Sequence, residues 1–168
     1  MSAIGIFYGT ETGRTEFAAK AVRDELGAWR AHLVDVREAG KWEVGRYQDL
    51  ILGVATGAEG ALTREWERFL SRVPNADLTG KRIALFGMGD AERYPDTFVN
   101  ALGKIADWAA SHGAQIIGAT DPADRSFRGS DALRDGKLVG LALDEADRTS
   151  EIRTRIRDWL KALATEFG

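Results

Sequence analysis

A short segment rich in glycine and threonine, residues 9–15, carries the strongest chemical signal in the sequence, and we call it the threonine loop. It follows an apolar run at residues 4–8 and precedes apolar residues spaced as one face of a helix. Backbone N–H groups and the positive dipole end at the start of a helix attract anions, and threonine hydroxyls add further donors. Thr10, Thr12 and Thr15 therefore predict a phosphate site. The alternative is an ordinary helix, capped at its start by Thr12 alone.

The composition of the threonine loop indicates a monophosphate held mainly by neutral donors. A nucleoside-triphosphate loop would end in Gly-Lys-Ser/Thr, and a dinucleotide site would read Gly-x-Gly-x-x-Gly; the sequence contains neither pattern. The chain has no cysteine, which excludes thiol catalysis, disulfides, iron–sulfur clusters and cysteine-ligated zinc. His32 and His112 are far apart in the sequence, so we predict no metal site. No substrate-activating base or nucleophile is apparent near the glycine-rich loops, so we also predict no catalytic residue.

The elements that position this loop alternate along the chain. Short apolar runs predict strands at residues 4–8, 32–36, 50–54, 83–86, 114–117 and 138–143, and helical stripes fill most of the intervals. Strands that are apolar throughout predict a parallel sheet with helices on both faces, in a doubly wound α/β fold. Residues 119–137 mix charges with glycine and proline, and we interpret them as an insertion that splits the fifth strand of a single domain, residues 1–168.

Two further loops follow the third and fourth predicted strands, at residues 55–60 and 87–95. Both are rich in glycine and small polar residues, whereas the opposite ends of the strands are not. In an open parallel sheet, ligands bind beyond the carboxyl ends of the strands, where the strand order reverses. We therefore expect these two loops and the threonine loop to surround one binding site.

Four stretches of the sequence resemble the flavodoxin family. They are GIFYGTETGRT at residues 5–15, ALFGMGDAERYPDTF at 84–98, LVGLALDE at 138–145 and the final LATEFG at 163–168. The resemblance covers essentially the whole chain, and the split fifth strand is typical of long-chain flavodoxins. It implies a five-stranded parallel sheet in the order 2-1-3-4-5, with FMN at the switch point between the first and third strands, a placement for which flavodoxin is itself the standard example.

The resemblance assigns residues of all three loops to FMN. The phosphate would be held by the threonine loop, namely Thr10, Glu11, Thr12, Gly13, Arg14 and Thr15. One face and the N5 edge of the flavin ring would be lined by the loop after the third strand, namely Thr56, Gly57, Ala58, Glu59 and Gly60. The other side would be lined by Gly87, by Asp90 at the pyrimidine edge and by Tyr94 stacked on the ring. For Tyr94 the alternative is a loop anchor beside Pro95.

The loop after the third strand departs from the pattern of long-chain flavodoxins. These proteins usually carry Pro-Thr-Trp, with the tryptophan against the inner face of the flavin, whereas this chain has Ala55-Thr56-Gly57. None of its five tryptophans falls in that loop, and Trp66 belongs to a helical stripe of the predicted core. The loss of one stacking contact, about 0.5–1.5 kcal/mol, predicts FMN binding that is weaker by about tenfold.

The glycine in this loop has a second implication. In the family, a backbone carbonyl of the loop turns toward N5 when the flavin is reduced, and glycine lowers the steric cost of such a turn. We expect the Gly57–Ala58 peptide, or its neighbour, to turn in this way. The alternative is that Gly57 marks a tight turn only.

The resemblance implies an electron carrier rather than a substrate-converting enzyme. FMN would cycle between semiquinone and hydroquinone at low potential, because acidic residues near the ring disfavour the anionic reduced form. The candidate carboxylates follow the fourth and last strands, namely Asp90, Glu92, Asp96, Asp144, Glu145 and Asp147. Two alternatives stay open: an FMN-dependent quinone or flavin reductase, and a binding module that has lost FMN. A phospho-accepting receiver domain is excluded, because Tyr8-Gly9 and Val54 stand where it needs carboxylates.

The partners implied by the resemblance are redox proteins, among them an NADPH-dependent flavodoxin reductase, a pyruvate oxidoreductase and the iron protein of nitrogenase. The chain carries 23 Lys and Arg against 26 Asp and Glu, a formal net charge of −3, which disfavours nucleic-acid binding. Flavodoxins are usually more acidic, so we expect weaker steering toward basic partners. The apolar run at residues 4–8 is too short for a secretion signal, and no window could span a membrane, so we expect a cytoplasmic protein. The resemblance to a carrier of this family implies a monomer.

Overall fold

Strands and helices alternate along residues 2–167, the part of the chain that the computed structural model describes, the side chain of Asp124 excepted. The strands are β1 (Ile4–Tyr8), β2 (Ala31–Asp35), β3 (Asp49–Ala55), β4 (Arg82–Gly89), β5 (Gln115–Ile117), β6 (Leu133–Arg134), β7 (Lys137–Leu138) and β8 (Leu141–Asp144). The helices are α1 (Arg14–Leu26), α2 (Lys41–Gly45), α3 (Arg64–Arg72), α4 (Asn100–Ser111) and α5 (Thr149–Phe167). None of these helices combines the length and the hydropathy that a membrane span requires.

One parallel sheet in the order β2-β1-β3-β4-β5 forms the centre of the fold, as predicted. In this register, Ile6 of β1 pairs with Leu33 of β2 on one side and with Ile51 of β3 on the other. β1 is buried along its whole length, because helices cover both faces of the sheet. Residues of α1 and α5 complete the core on one face, and residues of α3 and α4 complete it on the other.

Two short segments share the fifth strand position, which confirms the predicted split. β5 pairs with residues 82–84 of β4, and β8 pairs with residues 86–89. The insertion between them contains the antiparallel β6–β7 hairpin. The second segment begins at Leu141 rather than at the predicted Leu138, because the backbone of Leu138 exchanges two hydrogen bonds of 2.9 Å with Thr120 inside the insertion.

β4 is longer than the sequence predicts, and its length corrects the position of Gly87. The predicted strand stops at residue 86 because the glycines that follow indicate a loop, but the strand continues through them to Gly89. Gly87 pairs with Val54 of β3 and with Ala142 of β8, and a Cβ there would lie 2.4 Å from the Val54 carbonyl oxygen. Its predicted place in the loop is therefore wrong, because the glycine allows close approach of backbone inside the sheet.

Trp66 lies in the core, as its place in a helical stripe predicts. Its side chain is fully buried on α3 and packs against Phe69, with the ring centroids 5.4 Å apart. Its Nε1–H donates a hydrogen bond to the Gly53 carbonyl oxygen at 3.0 Å. The indole therefore fixes α3 against β3 and takes no part in the loop that joins these two elements.

Candidate functional site

The carboxyl ends of β1, β3 and β4 lie side by side at one edge of the sheet, so the three predicted loops are neighbours. The order of the strands reverses here, because β2 lies on one side of β1 and β3 on the other. Backbone hydrogen bonds join the ends of these strands. The Gly9 N–H donates to the Gly53 carbonyl at 3.2 Å, and the Thr56 N–H donates to the Met88 carbonyl at 3.0 Å. The three loops that carry the predicted site residues therefore share one edge of the sheet, and Gly87 lies within β4, two residues before its end.

The threonine loop leaves the start of α1 open. The Thr10 hydroxyl oxygen accepts a hydrogen bond from the Gly13 N–H at 2.9 Å, which closes a tight turn. Gly13 adopts the left-handed backbone conformation, with a φ of 90°, and stands at the N-cap of this 13-residue helix without a side-chain cap. The alternative role of Thr12 as the helix cap is therefore wrong. The first N–H groups of α1 have no side-chain acceptor within residues 2–167.

The Arg14 side chain is engaged away from the threonine loop. Its guanidinium donates hydrogen bonds to the carbonyl oxygens of Glu145 at 3.2 Å and of Asp147 at 2.7 Å, and lies 3.6 Å from the Glu145 carboxylate. It therefore anchors the start of α1 to the segment that follows β8. At the start of the helix, Arg14 therefore offers its backbone N–H to a phosphate. The sequence does not distinguish this group from the side chain.

Glu11 lies beside Glu65 of α3. Burial raises the pKa of the Glu11 carboxyl, the Glu65 carboxylate raises it further, and the charge of Arg64 acts in the opposite direction. One oxygen of Glu65, Oε2, is buried without a hydrogen-bond partner among the described residues. Because an ionised carboxylate repels phosphate, only the backbone of Glu11 suits the predicted phosphate role.

The loop after β3 closes on itself through backbone hydrogen bonds. The Gly57 N–H donates to the Ala61 carbonyl at 2.7 Å, and the Gly57 carbonyl accepts from the Gly60 N–H at 3.2 Å. Glu59 adopts the left-handed conformation, with a φ of 56°, which costs a residue other than glycine about 1–3 kcal/mol. Gly57 itself has an ordinary φ of −77°. The turn is therefore tight, but Gly57 does not use the backbone freedom of glycine in this conformation.

The loop after β4 is built around Asp90. Its carbonyl accepts a hydrogen bond from the Tyr94 N–H at 2.8 Å, and its carboxylate accepts one from the Arg93 N–H at 3.0 Å. Tyr94 is half-buried in this turn. The carbonyl of the next residue, Pro95, accepts hydrogen bonds of 2.7 and 3.0 Å from two backbone N–H groups of the insertion. The insertion thus supports the Tyr94 loop, while the stacking of Tyr94 and its alternative role as an anchor stay predictions.

Asn100, at the start of α4, is a site-supporting residue that the sequence analysis missed. Its side chain is buried, and its Oδ1 accepts a hydrogen bond from the Asp131 N–H of the insertion at 2.7 Å. A Cβ on Gly60 would lie 2.7 Å from its Nδ2, and the neighbouring Ala101 N–H donates to the Thr56 hydroxyl oxygen at 3.2 Å. The start of α4 therefore joins the insertion to the loop after β3. The sequence feature that indicates this role is a polar residue, asparagine, inside an apolar helical stripe.

Two of the carboxylates expected to act on the cofactor electrostatically have structural roles. Asp144 is buried and accepts a hydrogen bond from the Ala91 N–H at 3.0 Å. Asp147 forms an ion pair of 2.6 Å with Arg125, and the two side chains are 7% and 10% exposed. Burial acts to raise the pKa of Asp147, but hydrogen bonds from Arg125 and from the Asp144 N–H hold it below its usual range. Arg125 therefore offsets the charge of Asp147.

The donors at the start of α1 fit a phosphate monoester. They are backbone N–H groups at the positive end of the helix and the hydroxyls of Thr12 and Thr15. Space is open there, because a Cβ on Gly13 would have no atom within 4 Å. Among residues 2–167, no group of three or more metal-ligating side chains could hold a metal ion. The chemistry of the donor set thus favours an anion.

Comparison with known proteins finds relatives over nearly the whole chain. The family model described as flavodoxin matches residues 6–159. A flavodoxin of a Nostoc species is 40% identical over 165 residues, which cover 98% of this chain and 97% of the relative. A flavodoxin of Klebsiella pneumoniae is 38% identical over 169 residues, which cover 99% of this chain and 96% of the relative.

Solved structures agree with the sequence comparison. The crystal structure of Fusobacterium nucleatum flavodoxin bound to flavin mononucleotide is similar to this fold with a TM-score of 0.91, at 26% identity and with 99% of each chain covered. A flavodoxin from Bacillus cereus shares the fold with a TM-score of 0.75 over 98% of this chain and 99% of its own. On the strength of the family match and these full-length relatives, the chain belongs to the flavodoxin family.

Proposed function

We propose that the chain binds FMN non-covalently and works as an electron carrier, with residues 1–168 forming one FMN-binding domain. The observation that carries this proposal is the open start of α1, beside two further loops at the switch point of the sheet. Family membership supports it, because the related Fusobacterium structure holds flavin mononucleotide. Bound FMN supplies one-electron redox chemistry, and the protein supplies binding, orientation and electrostatics.

The threonine loop and the start of α1 bind the phosphate. The backbone N–H groups of Arg14 and Thr15 and the hydroxyls of Thr12 and Thr15 donate hydrogen bonds to its oxygens, and the helix dipole favours its charge. The Thr10 hydroxyl oxygen also shapes the turn, by accepting a 2.9 Å hydrogen bond from the Gly13 N–H, and its own hydrogen remains free to donate to the phosphate. Because all these donors are neutral, the phosphate keeps its negative charge and makes further negative charge on the reduced cofactor unfavourable.

The flavin ring lies between the loop after β3 and Tyr94. Tyr94 stacks on one face, and residues 56–60 line the other face and the N5 edge without an aromatic ring. Asp90 meets the pyrimidine edge, and its carboxylate, which accepts one hydrogen bond from the Arg93 N–H, has further acceptor sites free. FMN binding is therefore weaker than in a relative with tryptophan in place of Gly57, by about tenfold.

The two ring-binding loops also set the redox behaviour. The Gly57–Ala58 peptide turns its carbonyl toward N5 in the reduced protein. In the present conformation this carbonyl accepts a 3.2 Å hydrogen bond from the Gly60 N–H. Rotation of the peptide would therefore replace this hydrogen bond with one at N5. Asp90 and Glu92 disfavour an anionic reduced cofactor, which supports cycling between semiquinone and hydroquinone at low potential. Asp147 contributes less than the sequence suggests, because Arg125 offsets its charge.

The partners of such a carrier are other redox proteins. An NADPH-dependent flavodoxin reductase would deliver electrons, and a pyruvate oxidoreductase or the nitrogenase iron protein would exchange them. The chain would meet each partner as a monomer through the rim of the flavin site, at the loops after β3 and β4.

FMN titration of the purified chain tests this function. We expect one FMN to bind per chain. When NADPH and a quinone are then added without a reductase, we expect no sustained oxidation of NADPH. Sustained turnover under those conditions would favour the alternative, an FMN-dependent quinone or flavin reductase. A chain that binds no FMN would contradict both functions and indicate a binding module that has kept only the fold.

A further inference from the structure

A cleft of about 490 Å³ opens beside the threonine loop, next to Thr10 and Glu11. Its wall contains four arginines, namely Arg37, which follows β2, and Arg64, Arg68 and Arg72 of α3. We call it the arginine cleft. Its volume lies within the range of small-ligand sites. The proposed binding of FMN uses the loops at the strand ends and leaves these four side chains without a role.

Two of the four arginines are held by the last residue of β2 and by the segment that follows it. Arg37 forms an ion pair of 2.6 Å with Asp35. Arg72 donates hydrogen bonds to the carbonyl oxygens of Val36 and Ala39. The ion pair and these hydrogen bonds therefore orient the two guanidinium groups at the wall of the cleft.

The other two arginines have no partner in the part of the chain that the structure describes. Arg64 and Arg68 lie one turn apart on α3, on the same side of the helix. Both side chains are exposed, and neither guanidinium group forms a hydrogen bond or an ion pair with another residue of that part. A guanidinium group offers donors in a planar fork that matches the oxygens of a phosphate. The cleft thus has two sets of donors available to a ligand.

The charge of the cleft is positive in spite of three nearby carboxylates. Asp35 offsets one of the four guanidinium charges, and Glu11 and Glu65 offset two more when both are ionised. Burial raises the pKa of Glu11 and the neighbouring Glu65 carboxylate raises it further, so Glu11 carries its full charge less readily than an isolated carboxylate. The buried Oε2 of Glu65 lacks a donor, and a proton shared with Glu11 would supply one. A positive cleft with fork-shaped donors selects an oxyanion.

We propose that the arginine cleft binds a second phosphate-type anion, beside the site that holds the phosphate of FMN. The ligand class is a diphosphate: either free, bound within the cleft, or the diphosphate of a flavin dinucleotide, whose first phosphate lies at the start of α1 and whose second phosphate lies in the cleft. This inference rests on the proposed function, because the anion is a second one only if the phosphate of FMN binds at the start of α1. Arg64 and Arg68 bind the anion, while Arg37 and Arg72 provide the charge behind it.

Calorimetric titration with inorganic pyrophosphate tests the cleft. The titration uses the purified chain with and without saturating FMN, in the wild type, in Arg64→Ala/Arg68→Ala and in Arg153→Ala/Arg157→Ala. The last variant is the matched control, because it removes the same charge at the same spacing from exposed residues of α5, on the opposite face of the sheet. Circular dichroism verifies that each variant folds, which we expect because all four side chains are exposed.

We expect one pyrophosphate per chain in the presence of FMN, with binding weakened by about tenfold or more in Arg64→Ala/Arg68→Ala and little changed in the control. Equal weakening in both variants would overturn the proposal, because net charge alone would then explain it. Loss of pyrophosphate binding on saturation with FMN would also overturn it, since the anion would then occupy the phosphate site at α1. Failure of the proposed function would give a different result, because the chain would then bind no FMN and show no FMN absorbance.

A second titration, with FAD and FMN, distinguishes the two sources of the diphosphate. If the diphosphate belongs to a dinucleotide, Arg64→Ala/Arg68→Ala weakens FAD binding by about tenfold and leaves FMN binding unchanged. If it is a free anion, only the binding of pyrophosphate weakens. Either result supports the cleft, and a variant that binds all three compounds as the wild type does would refute it.

Discussion

At the scale of single residues, some groups of the threonine loop hold the protein structure together, and others remain available to a ligand. Thr10 closes the turn through Gly13, and Arg14 anchors α1 to the segment after β8. The hydroxyls of Thr12 and Thr15 bond to no other residue in the described range. We therefore expect these two hydroxyls, with the first N–H groups of α1, to contact the phosphate, and the free hydrogen of the Thr10 hydroxyl to add a further contact.

The first prediction concerns Thr12. Thr12→Val should weaken FMN binding by about tenfold, because a hydrogen bond to a charged oxygen is worth about 1.5–3 kcal/mol. The thermal unfolding temperature should not change, since the Thr12 side chain is exposed. Quenching of flavin fluorescence measures the dissociation constant. Thr154→Val makes the same change at an exposed position of α5 and serves as the control. If the two variants bind FMN equally well, Thr12 does not contact the phosphate.

The second prediction concerns the missing aromatic ring. Gly57→Trp should tighten FMN binding by up to about tenfold, because it restores a stacking contact. The φ of −77° at Gly57 accepts any residue, but a Cβ there lies 3.2 Å from the Ala61 carbonyl oxygen, so the turn has to give slightly. Gly57→Ala adds the same Cβ without the ring and is the matched control. A tryptophan variant that binds no more tightly than the alanine variant would show that the inner face needs no ring.

At the scale of elements, the sequence predicts the order of strands and helices, because continuous apolar runs and helical stripes differ in period. The strand order came from the resemblance, since hydrophobic patterns do not encode which strands are neighbours. β4 was predicted too short because Gly87 and Gly89 indicate a turn, although here they allow strands to approach closely. The insertion was located, but its hairpin was not, because its exposed residues show no periodicity.

The loops of the site could also be predicted from the sequence, whereas the use of each side chain could not. Loop composition and the ends of the strands identify where a ligand binds in a parallel sheet. The contacts that hold these loops join residues that are distant in the sequence, such as Arg14 with Asp147 and Asn100 with Asp131. No local pattern marks such a pair, so the structural roles of Arg14 and Asp147 required the fold.

The third prediction concerns the ion pair that ties the insertion to the end of β8. Asp147→Asn should lower the free energy of unfolding at neutral pH by about 3 kcal/mol, because Arg125 is left buried without its counter-charge. Chemical denaturation measures this difference. Asp96→Asn breaks an exposed pair with Arg128 and should change stability by less than about 1 kcal/mol. Equal losses in the two variants would contradict the role of burial.

The same ion pair predicts a pH dependence. The pKa of Asp147 in the folded protein lies below its ordinary value of 3.8, so the ion pair stabilises fully above that pH. Its contribution disappears as the pH falls below 3.8 toward the lower folded-state pKa. The wild type should therefore lose stability in this range more steeply than Asp147→Asn. Parallel curves for the two proteins would show that Asp147 does not titrate with unfolding.

At the scale of the whole molecule, charge is nearly balanced, and its distribution matters more than its sum. The formal net charge is −3, and the phosphate of FMN would add about 1.5–2 negative charges. Arginines gather on one side of the phosphate site, in the arginine cleft, whereas the loop after β4 carries Asp90, Glu92 and Asp96. Such a surface steers partners weakly at long range, so the choice of partner depends on contacts at the flavin rim.

The central claim is that the chain carries single electrons on FMN, and stepwise anaerobic photoreduction of the FMN-loaded protein tests it most directly. The absorption spectrum is followed as electrons are added one at a time. The account predicts two separate one-electron steps, with the one-electron-reduced flavin accumulating to most of the protein before the second step begins. Conversion from the oxidised to the fully reduced spectrum in a single two-electron step, with no intermediate spectrum, would contradict it.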